Sequence, residues 1–244
     1  NNKINSESIK SEFDFLKSLF LSKTSCKDSI REKSEVKIDN ISKEKIDIYL
    51  EDIIDDKSKK IIKQYFEINV SNFKNELKLI KYEFFGVYIY KAKNIFLLIR
   101  AKNHKSIPKI TGHFHQDQLS LEMHINRIPI IVDPGTYVYT SSPKKREIYR
   151  SENAHFSPIS MNNICTNSNI FKIDNIYSSK VSHFSEFGFY GSMMFNNKLI
   201  ERFILLRDDS FEIIDVVPSE QLHYEQIQLP YSPGYGIIKV NSNA

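Results

Sequence analysis

Histidine is scarce in this chain, with seven residues in 244, so two of them placed two positions apart raise the first question. They sit in Gly112-His113-Phe114-His115-Gln116-Asp117. On an extended backbone alternate side chains share a face, which would bring His113, His115 and Asp117 together as ligands or as a proton-handling cluster. The same spacing also arises on strands that bind nothing. Further on, the apolar run Ile130-Ile131-Val132 ends in Asp133, and Pro134-Gly135 turns the chain at once. An acid at that point either caps the turn or offers a carboxylate at a strand end. A third element, Arg150-Ser151-Glu152-Asn153-Ala154-His155, sets a histidine among small and polar residues, the surroundings of a loop and not of a core.

The elements that must position these residues read as β structure. From about Leu79 onward, short runs rich in Ile, Val, Tyr and Phe recur between Asn, Gly, Pro and Ser. They predict strands over 80–90, 95–102, 118–125, 128–133, 170–174, 178–184, 187–195, 199–207, 210–217 and 224–229. Asn126-Arg127 and Asp208-Asp209 each sit between two such runs and read as hairpin turns. Many short strands at close spacing predict a mainly β protein, an antiparallel β-sandwich. The first part of the chain differs. Ile9, Phe13, Leu16, Leu19 and Phe20 recur at helical spacing, with Ser6 or Ser8 available as a cap. The stretch 45–66 reads as one long helix or two short ones, and 24–40 as a polar loop. These helices are expected to serve packing. The pattern draws one boundary, between a helical segment over 1–76 and a β domain over 77–244.

Composition narrows the function classes. The net charge is +4, with 34 basic and 30 acidic residues interspersed, which gives no footprint for nucleic acid but suits an anionic substrate. Lys144-Lys145-Arg146 is the one basic cluster, and it reads as a solvated loop. Cys26 and Cys165 have no CxxC spacing and imply neither a disulfide framework nor a thiolate metal site. The longest apolar run, Ile95-Phe96-Leu97-Leu98-Ile99, is strand-sized, far short of the roughly 18 residues of a membrane span.

Taken jointly, the three segments resemble the heparinase II/III family of polysaccharide lyases, with its related alginate and oligo-alginate lyases. The family pattern is a Gly-His-x-His-x-Asp segment, a strand ending in Val-Asp-Pro-Gly-Thr-Tyr, and an Arg-Ser/Thr segment leading to Ala-His. This chain has Gly112-His113-Phe114-His115-Gln116-Asp117, then Val132-Asp133-Pro134-Gly135-Thr136-Tyr137, then Arg150-Ser151 leading to Ala154-His155, in that order. The core of the likeness runs from about residue 90 to 160.

The resemblance implies a polysaccharide lyase acting by β-elimination on a uronic-acid-containing chain, of which this would be the metal-binding β-sandwich part. It implies a divalent metal on His115, Asp133 and His155. Two imidazoles and a carboxylate suit Zn2+, with Ca2+ the alternative, and the ion is expected to hold loops more than to do chemistry. His113 is implied as the residue beside the substrate. It would neutralise the uronate carboxylate, stabilise the enolate-like intermediate, or act as base. Asp117 would support one of the imidazoles. Arg150 would either meet the substrate carboxylate or brace its loop, and Tyr139 and Tyr149 are nearby phenols expected at the substrate. The partner implied is an anionic polysaccharide or oligosaccharide. The setting implied is bacterial, periplasmic or secreted in preference to cytoplasmic.

The chain departs from the family pattern in two places. Phe156 follows His155 where Asn is common, and Gln116 and Gln118 flank Asp117 where small residues are usual, so the shape of the substrate pocket is in question. Family members also carry an N-terminal (α/α) toroid that supplies a catalytic tyrosine. Residues 1–76 would be the end of such a domain or a linker, and the chain alone is expected to be weakly active or inactive. Two further readings share the scaffold: a uronate C5-epimerase, and a non-catalytic carbohydrate-binding or assembly module in bacterial surface polysaccharide metabolism.

Overall fold

The structure is a computed structural model, and it describes residues 46, 47, 49–51, 56–68, 70, 73–103, 112–158, 171–173, 177–219 and 228–239. The helix read over 9–21, the loop over 24–40, residues 224–227 of the strand read over 224–229 and both cysteines lie outside the described residues, while 228–229 are not strand. Contacts group the chain into residues 1–37 and 38–244, and every described residue falls in the second unit.

Two five-stranded antiparallel sheets make the body. Sheet I runs in the order β1 (Lys59–Glu67), β10 (Ser210–Pro218), β9 (Lys198–Leu206), β8 (Gly188–Phe195), β7 (Ser179–Ser185). Sheet II is a meander of β2 (Lys78–Tyr82), β3 (Val87–Ala92), β4 (Ile95–Arg100), β5 (Ser120–Ile125) and β6 (Ile128–Ile131). Alternate residues of each sheet point inward. Tyr90, Leu97, Ile99, Leu121 and Met123 from sheet II meet Phe189, Ile204, Phe211 and Ile213 from sheet I in one buried cluster. The sheets therefore pack face to face, and the antiparallel β-sandwich expected from the sequence is the fold.

Both expected hairpin turns form. Asn126 and Arg127 take φ of 53° and 65°, the left-handed pair of a type I′ turn, and Arg207 N–H donates to the Ser210 carbonyl across Asp208-Asp209 at 2.9 Å.

Besides the strand read over 170–174, which does not form at the described residues 171–173, three element readings change. The run 80–90 is two strands, because a turn over 83–86 interrupts it. Gly86 closes that turn at φ +65°, where a Cβ would lie 2.4 Å from the Lys102 backbone. Lys144-Lys145-Arg146, expected as a solvated loop, lie in a short helix, α1 (Pro143–Tyr149), with proline in its first turn.

The third change is the run 59–67, read as helix. It is β1, an edge strand paired with β10 over its whole length, so sheet I recruits residues that precede 77. Ile61, Ile62 and Phe66 mimic helical spacing because β1 is apolar on both faces. Ile62 and Phe66 pack on the sandwich core, while Ile61 packs on a second cluster with Ile46, Leu50, Phe203, Leu205, Ile214 and Val216. Residues 46, 47 and 49–51 are helical, as expected, and cover the outer face of sheet I. With both faces covered, β9 and β10 are buried at nearly every position.

Candidate functional site

The β5–β6 hairpin assembles the site. Its turn lies at 126–127, so the start of β5 and the end of β6 share the opposite end. The histidine segment leads into β5 there, and the Asp133 segment leaves β6 there. Helix α1 and a single 3-10 turn (Glu152–Ala154) then return the chain with His155. The Gln116 N–H donates to the Arg150 carbonyl at 2.9 Å, tying the first and third segments together.

Residues 112–119 form turns, not a strand, so His113, His115 and Asp117 do not share one face. Each finds a different partner. The exposed His113 has Nδ1 3.2 Å from the Tyr139 phenol oxygen, with the two rings edge to face at 5.4 Å. His115 has Nδ1 3.2 Å from His155 Nε2. Asp117 accepts from Arg100 Nε at 3.2 Å, and its charge also acts to raise the His115 and His155 imidazoles.

His115, Asp133 and His155, the three residues expected to share a metal, do come together. His155 is buried (2% exposed), and its Nδ1 lies 2.5 Å from Asp133 Oδ2. Its two ring nitrogens thus face opposite neighbours, and the three side chains stand in a row, carboxylate to imidazole to imidazole. Among the described residues, no group of three or more His, Cys, Asp and Glu side chains is arranged to hold a metal ion. The charges follow the row. Burial, and next the His155 ring, push the His115 imidazole down to about 4. Burial alone would lower His155 as well, but the Asp133 carboxylate against its Nδ1 raises it above an ordinary imidazole. Burial works to raise the Asp133 carboxyl, yet the His155 charge and hydrogen bond, with the Gly135 N–H at 2.8 Å, hold it below the usual range. Asp133 therefore does both things its sequence position allowed: it caps the Pro-Gly turn and meets a histidine.

Arg150, Tyr149 and Tyr139, expected at the substrate, separate. Arg150 is 2% exposed, and its guanidinium donates to the Glu147 carboxylate and to the Lys172 carbonyl. These contacts are those of a brace for its loop. Tyr149 is also buried, and its hydroxyl donates to the Pro230 carbonyl at 2.8 Å. Only Tyr139 stays beside His113.

Two arginines matter here that the sequence did not single out. Lys144 and Lys145 are exposed, but Arg146, one position on, is 1% exposed. It donates to the Gly112 carbonyl and to the Val138 carbonyl, and its guanidinium lies 4.3 Å from the Tyr139 ring centre. It joins the backbone before His113 to the phenol that His113 touches. The signal was a heptapeptide helix with two inward positions three residues apart, Arg146 and Tyr149, the first masked by two neighbouring lysines.

Arg202 on β9 makes a paired bond to Asp215 at 2.7 Å and donates to the carbonyls of Leu119 and Phe156 at 2.5 and 2.7 Å. Those carbonyls end the histidine segment and follow His155. Leu119 is buried at φ 58°, a costly conformation for a branched residue, and Arg202 helps to hold it. Gln118, a departure from the family pattern, is also structural: its Oε1 accepts from Lys102 N–H at 2.8 Å and Ser179 Oγ at 2.6 Å.

One comparison with known proteins bears on the three motifs. Residues 78–157 match the family model described as Heparinase II/III-like, C-terminal, and that span holds all three. The chain thus carries a heparinase II/III-like C-terminal segment, over about a third of its length. No curated protein matches the chain. Two solved structures, titled "Heparinase III-BT4657 gene product" and the same protein with methylated lysines, are each 14% identical with a TM-score of 0.42. Each alignment covers 57% of this chain and 22% of the solved one, so the chain spans less than a quarter of the length of those proteins.

Proposed function

We propose that this chain is the β-sandwich part of a polysaccharide lyase that cleaves a uronic-acid-containing chain by β-elimination. The observation that carries the reading is His113, exposed and fixed through Nδ1 by Tyr139, inside the segment that matches the heparinase II/III-like model. Elimination removes the C5 proton of a uronate. The C5–H electron pair becomes the C4–C5 double bond, the C4–O bond breaks, and the leaving oxygen takes a proton. The proton is weakly acidic because the adjacent carboxylate resists further negative charge, so the site must hold that carboxylate. With Nδ1 engaged by the phenol, the tautomer decides what Nε2 does. If Tyr139 donates to Nδ1, Nε2–H is a donor for the uronate carboxylate. If Nδ1–H donates to Tyr139, Nε2 is a base.

Zn2+ is proposed on His115, Asp133 and His155. His115 Nδ1 and His155 Nε2 are 3.2 Å apart, about the separation of two ligands on one tetrahedral zinc with bonds of ~2 Å. A His115 that stays neutral at physiological pH is the form a metal takes; Asp133, which accepts from His155 Nδ1, would leave that hydrogen bond to become the third ligand. Bound there, the ion would clamp the three segments and fix the loop that carries His113.

The test is ultraviolet absorbance of unsaturated uronate when the protein at its natural full length meets alginate or heparan sulfate. The reading expects an absorbance rise that falls at least ~100-fold in rate in His113→Ala, the usual scale of acid–base catalysis. No unsaturated product from either polymer would contradict it. C5 inversion without absorbance would favour the epimerase, and binding alone the module.

A further inference from the structure

The hairpin β11 (Tyr231–Gly234) and β12 (Ile237–Lys239) stands apart from both sheets and lies outside the family match. It is nonetheless fastened to the segment that carries Tyr139. Ser232 N–H donates to the Pro134 carbonyl at 2.9 Å, and Gly236 N–H to the Tyr137 carbonyl at 2.7 Å. Gly135, at φ +80°, lies so close that a Cβ would stand 2.5 Å from the Ser232 carbonyl oxygen. The buried Tyr149 hydroxyl fixes Pro230, just before β11. These contacts seat the hairpin's turn at a definite place: Tyr235 stacks on Tyr139 with ring centres 5.9 Å apart and planes 20° from parallel.

The order of groups is therefore His113, Tyr139, Tyr235, an imidazole followed by two stacked phenols. Tyr235 keeps 59% of its surface exposed although it is aromatic, and Tyr231 keeps 43%. Cations flank them. Lys145 Nζ lies 5.3 Å from the Tyr137 ring centre and Lys239 Nζ 6.0 Å from that of Tyr231. Exposed aromatic faces stack against the C–H face of a sugar ring, because the electron-rich ring attracts polarised C–H groups. Lysines beside them favour a ring that carries an anion.

We propose that the 231–239 hairpin forms a saccharide subsite next to His113, with Tyr235 as its stacking platform and Lys145 and Lys239 selecting acidic sugar rings. It rests on the polysaccharide reading above in one respect, the identity of the ligand as a uronate chain. It goes beyond it in giving binding and charge selection to a hairpin that the family match does not include. Tyr235 acts in binding and takes no part in proton transfer.

The test is calorimetric titration of the full chain, and of Tyr235→Ala, Tyr235→Phe and Lys145→Ala, with alginate tetrasaccharide, heparan sulfate tetrasaccharide and neutral maltotetraose. At least one acidic tetrasaccharide is expected to bind wild type and to bind Tyr235→Ala about tenfold or more weakly, the scale of a lost aromatic anchor. Tyr235→Phe, which keeps the ring, should bind like wild type. Lys145→Ala should bind more weakly, with a smaller loss at high salt, where its charge is screened. Tyr235 is exposed at a turn, so its loss should leave the melting temperature unchanged, and melting curves of all variants check this. Equal affinity of wild type and Tyr235→Ala, maltotetraose bound as tightly as the acidic sugars, or no acidic sugar bound would each overturn the subsite. Tyr235-dependent binding without any elimination would sink the lyase and leave the subsite standing. Elimination with Tyr235→Ala binding normally would do the reverse.

Discussion

His113 and His115 are two residues apart and have unrelated surroundings. One is exposed and meets a phenol; the other belongs to a row that ends in a buried ion pair. The motif announced that both matter, but not that a turn would rotate them to different partners, because alternation holds only while the backbone is extended. Arginines show the same limit. Arg150 and Arg146 are both fully covered, and neither sequence position says so, since burial of a guanidinium depends on carbonyls and carboxylates brought from elsewhere in the chain. The metal proposal belongs to this scale. Elemental analysis of the purified protein should find about one zinc per chain, lost in His115→Ala. A metal-free protein with an intact fold would remove the ion from the account and leave the Asp133–His155–His115 row as a structural network.

Strands with one face in the core were legible from alternation, and so were the turns at 126–127 and 208–209, though not the one over 83–86. What escaped were elements whose pattern is set by a second partner. β1 is apolar on both faces because residues 46–51 cover one of them, so its Ile61, Ile62 and Phe66 imitate a helix. β11 and β12 contain Pro233 and Gly234 and no alternation; backbone bonds to 134–137 define them instead. The contact between Arg202 and the histidine segment is likewise invisible in the sequence, as 83 residues separate Arg202 from Leu119. Removing one partner of a buried pair leaves an uncompensated charge, at about 3–5 kcal/mol. Arg202→Met should therefore lower stability by that amount in urea denaturation. A loss below ~1 kcal/mol would show that Arg202 does not anchor the loop.

At the scale of the molecule, sheet I has a core on each face and sheet II packs on one of them, with the candidate site where the β5–β6 hairpin opens. Glu122, on β5 beside that opening, gives the whole fold a pH dependence. Burial, and then the charge of Asp133, raises its carboxyl from 4.5 to about 7. In the unfolded chain it ionises at the lower value, so the folded state binds the extra proton between these two limits. Stability attributable to Glu122 accordingly falls as pH rises from 4.5 toward about 7, and stays lowered above. In buffer with a chelator, Glu122→Gln should be more stable than wild type by roughly 3 kcal/mol above that range and no different below it. Parallel stability profiles for the two proteins would refute the shift.

Lyase and epimerase chemistry both begin with loss of the C5 proton, so the central claim is that His113 and its neighbours handle that proton. Nuclear magnetic resonance of an alginate or heparan sulfate oligosaccharide in D2O, incubated with the natural full-length protein, measures it directly. The account predicts loss of the C5 proton signal, as deuterium-exchanged or unsaturated uronate, and its retention with His113→Ala. A C5 proton that persists in oligosaccharide shown to be bound by wild type would contradict it.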